Sequence, residues 1–329
     1  MLAVGCRLVV SLNGLADGAP GAGGSGGVGG DSAVGGDSGS GGDSGGGASG
    51  SGGMTTDGSA DGDGSDDGGP ADVVPEASPK GPFPVRDTNA PLGGIAVFDN
   101  DIYWVERGLS GGVFHAPKLA PLGSGSTTIE TTTTAFDVAV DGNYVYWSNG
   151  GTQIINSQKM SDLSAGPQAS AGGPVYYLAA GNQGTVYYTT TNPMFIGYAI
   201  GSQAFSLYTM LNQLSGLATT GTFLYWTHGN GVSEGTTNMK IPREIYMAGS
   251  ARAVATDGQQ IYWISATGEI RAAPVSGAAV PPRFVCSAAA DIGADADIGA
   301  DVDIAVDDQW VYFTEPTHLK PRISKCLKQ

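Results

Sequence analysis

Across residues 81–329 the apolar positions recur in one figure: a short apolar run, a turn, then a second apolar run that ends in two adjacent aromatic residues. Six segments carry it: IAVFDNDIYWVE from Ile95, VAVDGNYVYWSN from Val138, LAAGNQGTVYYTT from Leu178, LATTGTFLYWTH from Leu217, VATDGQQIYWIS from Val254 and IAVDDQWVYFTE from Ile304. The aromatic pairs are Tyr103-Trp104, Tyr146-Trp147, Tyr187-Tyr188, Tyr225-Trp226, Tyr262-Trp263 and Tyr312-Phe313, spaced 43, 41, 38, 37 and 50 residues apart. The last interval contains an apparent tandem duplication, ADIGADADIGADVDI, and removing eight residues returns it to 42. A period near 40 marks stacked β units, and above all propeller blades.

Each unit explains its own strands. The first run ends at Asp141-Gly142 or Asp257-Gly258 in the clearest cases, a pair that tolerates the left-handed backbone a tight reversal needs. The run that follows is rich in β-branched and aromatic residues. In Ile261-Tyr262-Trp263-Ile264 both parities are apolar, so both faces of that strand are expected to be buried, as they are when a sheet is sandwiched between neighbouring blades. Two more strands follow, for example over residues 269–275 and Arg283–Ser287, giving four per unit. Helices are excluded because no 3.6-residue periodicity is sustained and Gly, Thr and Pro are abundant. Six repeats predict an all-β, six-bladed propeller over residues 81–329. The last repeat stops at its third strand, Arg322–Leu327, so residues 83–88 are expected to supply its outer strand and close the ring.

Composition separates the rest of the chain from this domain. Of the 55 glycines, 26 lie in residues 1–80, which carry a net charge of −9 and neither Trp, Tyr nor Phe. Residues 18–80 are expected to be a disordered Gly/Ser/Asp-rich linker. The 52 residues over 18–69, as a Gly-rich coil, would span roughly 40 Å. Within it Asp61, Asp63, Asp66 and Asp67 do not match a calcium loop, because Asp66 and Asp72 stand where Gly and Glu are required. The remaining 249 residues carry a net charge of −7 and no basic cluster, so nucleic-acid binding is excluded from the expected functions. No run approaches 18 apolar residues, so no transmembrane helix is expected. Near the N-terminus Leu2-Ala3-Val4-Gly5-Cys6 resembles a bacterial lipobox, with small residues before a cysteine that becomes lipidated. Residues 1–17 therefore read as a truncated or mis-started signal region. Cys6 is the candidate lipidation site of a lipid-anchored or secreted protein of the bacterial cell envelope.

The repeat itself resembles the YWTD propeller family of low-density-lipoprotein-receptor ectodomains, whose signature joins an apolar-Ala-x-Asp strand end to a Tyr-Trp-Thr-Asp strand. The most specific matches are residues 138–149 and 254–265. The combination with a Gly/Asp-rich tether is similar to YWTD-like bacterial lipoproteins. The family's final Asp is here Glu106, Asn149, Thr190, His228, Ser265 and Glu315, so its network and its ligands do not carry over.

Candidate chemistry is sparse. His115, His228 and His318 occupy unmatched positions in different repeats, and no His-x-x-x-His or Cys-x-x-Cys pair supports zinc. Neither a nucleophile elbow nor a phosphate-binding loop occurs. Seven aspartates crowd the 18 residues from Asp291 to Asp308. Among them Asp295/Asp297 and Asp301/Asp303 share faces of an extended chain and are the calcium candidates, against a solvated acidic loop left by the duplication. Cys286 and Cys326 form a disulfide candidate in an exported protein, with two separate thiols as the alternative. No catalytic or cofactor-binding set is assigned. The favoured function is a monomeric, non-enzymatic binding or scaffold module holding a protein or glycan partner through propeller loops. The rival is a calcium-dependent hydrolase of the lactonase type. That site needs acids or amides matched in register on the inner strands, and Asp137, Asp303 and Asn182 come nearest without matching.

Overall fold

Each repeat folds into one four-stranded antiparallel sheet, and six such sheets form the propeller. The computed structural model describes residues 81–209, 213–229, 231–238, 241–247, 251–277, 280–288, 302–315 and 320–328; the lipobox and the linker fall outside them. Blade 1 runs outward from Leu92–Phe98 at the axis through Asp101–Glu106 and Gly112–Pro117 to Thr127–Thr131. Blades 2 to 5 repeat this order from inner strands Ala135–Val140, Val175–Ala180, Gly216–Thr219 and Ala253–Thr256. No helix occurs among the described residues.

The reason for the doubled aromatic is visible at the six interfaces. Successive residues of a strand point to opposite faces, and the core divides into six clusters, each spanning two neighbouring blades. The first aromatic of a pair always packs against the following blade and the second against the preceding one. Thus Tyr103 meets Trp147, Tyr146 meets Tyr188 and Tyr187 meets Trp226. In the same way Tyr225 meets Trp263, Tyr262 meets Phe313 and Tyr312 meets Trp104. The last of these clusters joins blade 6 to blade 1, so the ring is closed.

The turn after the inner strand has a repeated polar clamp. In blade 2, Asp141 Oδ1 accepts the amides of Asn143 and Tyr144, both at 2.9 Å, while Oδ2 accepts the Tyr146 hydroxyl at 3.0 Å. Gly142 takes the left-handed conformation, φ 89°, that the reversal demands. Asp257 holds Tyr262, and Asp307 holds Tyr312, in the same way at 3.0 Å. The second oxygen also reaches the adjoining blade: Gly184 N–H donates to Asp141, Lys118 pairs with Asp307 and Lys328 with Asp257. The two lysines are one blade removed from the acids they bond.

Blade 6 is completed from both ends of the domain. Its order from the axis outward is Ile304–Val306, Trp310–Glu315, Arg322–Leu327 and finally Phe83–Asp87. The Thr88 amide extends the pairing to Pro321 O at 2.9 Å, and Arg322 pairs with Asp87 at 2.8 Å. Cys286 on the outer strand of blade 5 and Cys326 on the third strand of blade 6 are joined, with Cα atoms 6.5 Å apart. Closing a chain separation of 40 residues removes about 4 kcal/mol of unfolded-state entropy in the chain-entropy model.

Truncation through Thr88 is expected to lower the unfolding midpoint and raise light scattering relative to truncation at Lys80, because it strips the outer edge of blade 6. Trp147→Ala empties an interface ring and is expected to cost roughly 3–5 kcal/mol, read from denaturant unfolding.

Candidate functional site

The six inner strands stand side by side around the axis. The residues that open the six repeat segments, Ile95, Val138, Leu178, Leu217, Val254 and Ile304, each pair with the second aromatic of the same blade. This common register places the residues just before them at equivalent positions at one end of the channel: Gly94, Asp137, Tyr177, Gly216, Ala253 and Asp303. Asp137 and Asp303, expected to be out of register, therefore occupy the same position in blades 2 and 6. Asn182 is displaced from both, since it lies in the turn beyond the inner strand of blade 3, at the far end.

The two acids make the same contacts. Asp137 Oδ1 accepts its neighbour's amide, Val138 N, at 2.7 Å, and Oδ2 accepts Leu178 N of blade 3 at 2.6 Å. Asp303 Oδ2 accepts Ile95 N of blade 1 at 2.8 Å, and the Ile304 amide also donates to this carboxylate. A hydroxyl from the second strand supports each acid's own amide: Ser148 Oγ at 3.2 Å from Asp137 N and Thr314 Oγ1 at 2.7 Å from Asp303 N. Between the acids lies Gly94, where any Cβ would fall 1.7 Å from Asp137 Oδ1. Burial drives both carboxyls up. Asp137 is pushed well above the carboxylate range by burial and by the charge of Asp303, with the strand amides and Arg107 opposing. Asp303 is pushed up to about 6 by burial against the amides of Ile95 and Ile304 and the Arg107 charge.

Beside the acids sits an aromatic cluster that the sequence reading missed. In blades 1 to 3 the ladder slips between Leu92 and Ile95, Ala135 and Asp137, and Val175 and Leu178. Such bulges re-aim side chains at a sheet's end. They bring Phe136 edge-on to Tyr176, with centroids 4.8 Å apart, and to Tyr177 at 5.6 Å. The Arg107 guanidinium lies 4.1 Å from the Phe136 ring. All four side chains are half-buried. The signal was present as Gly93-Gly94, Phe136-Asp137 and Tyr176-Tyr177 in successive repeats, but only the bulge register shows that they converge.

The other candidates scatter. Asp295, Asp297, Asp301 and His318 lie outside the described residues, as does Cys6. His115 stacks on Tyr103 at 5.5 Å, and His228 Nε2 lies 3.0 Å from Ser233 Oγ. Several residues at the position of the final Asp in the YWTD signature bond within their own blade. Glu106 accepts the Trp104 indole N–H at 2.9 Å, Thr190 donates to Pro193 O, and Glu315 accepts from Ser324.

Calcium takes six to eight oxygens. Asp137 and Asp303 already spend their oxygens on strand amides beside a guanidinium. Among the described residues no three His, Cys, Asp or Glu side chains gather. This end of the channel does not fit the ion.

No family model matches the chain. No curated protein matches it. Among solved structures, a gluconolactonase from Xanthomonas campestris is similar at 13% identity and TM-score 0.56, over 74% of this chain and 89% of that one. The calcium-binding protein regucalcin from Agrobacterium tumefaciens is similar at 10% identity and TM-score 0.51, over 74% and 90%. A chain of the nidogen/laminin complex gives 17% identity and TM-score 0.49, over 56% and 76%. At such identities the likeness to the first two shows the fold alone.

The raised carboxyls make a pH prediction. An unfolded Asp titrates near ~3.9, below the folded value of about 6 at Asp303, so the folded state holds the proton more tightly. The stability this adds is complete below the unfolded pKa and is lost as pH rises through the folded one. Denaturant midpoints are therefore expected to fall from about pH 4 to pH 6, and Asp303→Asn is expected to flatten that fall.

Proposed function

We propose that this chain is a non-enzymatic binding module whose working surface is the channel mouth of blades 1 to 3, where it holds a protein partner. The observation that carries this reading is the composition of the mouth. Its carboxylates are committed to strand amides and stitch blade 2 to blade 3 and blade 6 to blade 1. Its remaining side chains, Arg107, Phe136, Tyr176 and Tyr177, are of the aromatic and arginine type that dominates the energy of protein interfaces. Held by a rigid ring, such groups lose little entropy on binding.

The surrounding proposals fit one setting. The repeats are read as YWTD-type, and Cys6 is read as the lipidated end of a tether that carries a monomeric propeller outside the cytoplasm of a bacterium. The pairing of Cys286 with Cys326 accords with an oxidising compartment. A single acyl chain binds membranes only marginally, so this anchoring needs the several chains of a bacterial lipoprotein.

The test is quantitative capture from envelope extracts by the immobilised full chain. Tyr176→Ala and Arg107→Ala are expected to weaken capture of the same partner about 30-fold, the scale of an interface hot spot, with unfolding midpoints retained. Equal capture by the variants would remove the mouth from the interface. Capture of polysaccharide alone would replace the protein with a glycan. Calcium-dependent opening of gluconolactone, lost in Asp303→Asn, would replace the reading with the hydrolase.

A further inference from the structure

The third strand of every blade runs from the mouth end of the channel to the opposite end, and its exit is built alike throughout the ring. In five blades the first amide beyond that strand donates back to the turn after the inner strand. The bonds are Lys118 N to Asn100 O at 2.8 Å, Met160 N to Asn143 O at 2.9 Å, Thr237 N to Thr222 O at 3.0 Å, Val275 N to Gln259 O at 3.0 Å and Lys328 N to Gln309 O at 2.9 Å. In blade 3 the ladder itself runs on to this turn, with Ile200 opposite Thr185. At each exit a large apolar side chain is left in solvent: Leu119, Leu163, Ile200, Ile241, Val280 and Leu327, exposed by between 39% at Leu327 and 92% at Ile241. None of the six belongs to an interblade cluster, so the core does not use them. Single exposed apolar residues are ordinary, but one in every blade at the same end of a ring is a patterned surface. At the mouth end, among the described residues, only Leu109 and Met247 stand out in this way.

Two further observations choose what this surface meets. The first is where the chain enters the propeller. Phe83 lies opposite Lys325, near the exit of the third strand of blade 6, and a Cβ on Gly81 would fall 2.9 Å from the Lys325 carbonyl oxygen. The residues that precede the domain, with Cys6 near their start, therefore join it at the apolar end and not at the mouth. The second is charge. The turns and loops of this end carry Asp99, Asp141, Asp162, Asp257, Asp307 and Asp308. Against them stand Lys118 and Lys328, already paired with Asp307 and Asp257, and Lys159. Such a surplus of acids repels both a second copy of the same face and an anionic bilayer.

We infer that the end of the propeller opposite the mouth rests on a neutral lipid surface, with the six side chains dipping into it from the rim. Separated apolar side chains with polar backbone between them suit a headgroup layer, because each reaches the acyl boundary while its loop stays among polar groups. A protein interface would instead be expected to gather its apolar residues into one buried centre. The choice of a membrane rests on the reading of residues 1–80 as the tether of an anchored protein. A tether also lets a weak surface suffice, since it turns binding into an intramolecular event at high effective concentration. In this arrangement Arg107, Phe136, Tyr176 and Tyr177 face away from the lipid, and the mouth is left open to its partner.

The experiment is co-flotation of the unacylated full chain with vesicles of dioleoylphosphatidylcholine, and with vesicles in which half of that lipid is replaced by dioleoylphosphatidylglycerol. Saturable binding to the neutral vesicles is expected, with weaker binding to the anionic ones. Leu119→Ser combined with Ile241→Ser removes the two most exposed side chains of the ring. That pair is expected to lower the partition coefficient about tenfold and to leave the unfolding midpoint where it is. Leu109→Ser, equally exposed but at the mouth end, is expected to change nothing, and so is Arg107→Ala, which separates this face from the mouth. Because the chain carries no acyl group, the result is independent of whether Cys6 is lipidated. Failure to float with neutral vesicles, an equal loss in Leu109→Ser, or a dimer in sedimentation that Leu119→Ser and Ile241→Ser abolish in place of vesicle binding would overturn the inference.

Discussion

A strand that is apolar on both faces must be covered from both sides, and the second strand of every blade is such a strand. Tyr262 and Trp263 are 1% and 0% exposed although their side chains leave the sheet in opposite directions. A row of blades standing open would bare one aromatic face at each end, at a cost of about 25 cal/mol for each Å² of apolar surface. Bending the row until Tyr312 of blade 6 covers Trp104 of blade 1 removes both ends together. The ring is the arrangement in which every blade has two neighbours.

Blade 6, where the ring closes, is tied to both of its neighbours. The inner strand of blade 6 is only three residues long, Ile304–Val306, and offers few ladder bonds of its own. Around it lie the strand Phe83–Asp87 and the bridge between Cys286 and Cys326. The carboxylate of Asp303 holds the Ile95 amide, and the pairs Lys118–Asp307 and Lys328–Asp257 complete the set. Burial raises the carboxyls of Asp257 and Asp307, but the lysine ammonium groups and the turn amides outweigh it and hold both below the ordinary value. These pairs therefore stay charged at neutral pH, and the stability they add is kept above the unfolded pKa and lost as pH falls through the folded one. The buried acids at the mouth have the opposite dependence.

Repetition also shows where function can reside. The aromatic pairs follow one packing rule in all six blades, whereas the positions at the strand ends vary from blade to blade. Gly94 leaves room for the Asp137 carboxylate, and Ser265 is too short to give Trp263 the acceptor that Glu106 gives Trp104. Neither change fills space. One shapes the channel mouth and the other leaves the buried Trp263 indole without an acceptor, while the aromatic pairs around them serve the core.

The sequence by itself determined the number of blades, the hairpin in each, the two-sided burial of the aromatic strand and the pairing of residues 83–87 with Arg322–Leu327. These follow from local alternation and from a period that repeats six times, so each copy corroborates the others. Only the tertiary structure decided which side chains from different blades meet. Asp137 and Asp303 lie far apart in the chain and share a register visible only once bulges are placed. Arg107 reaches Phe136 because the ladder slips at Ala135. The Trp263 donor is unpaired because Ser265 is short and turned toward Thr267. Hydrophobic periodicity encodes which face of a strand is buried, but not the one-residue shifts that set which polar atoms converge, and the chemistry of this protein depends on those shifts.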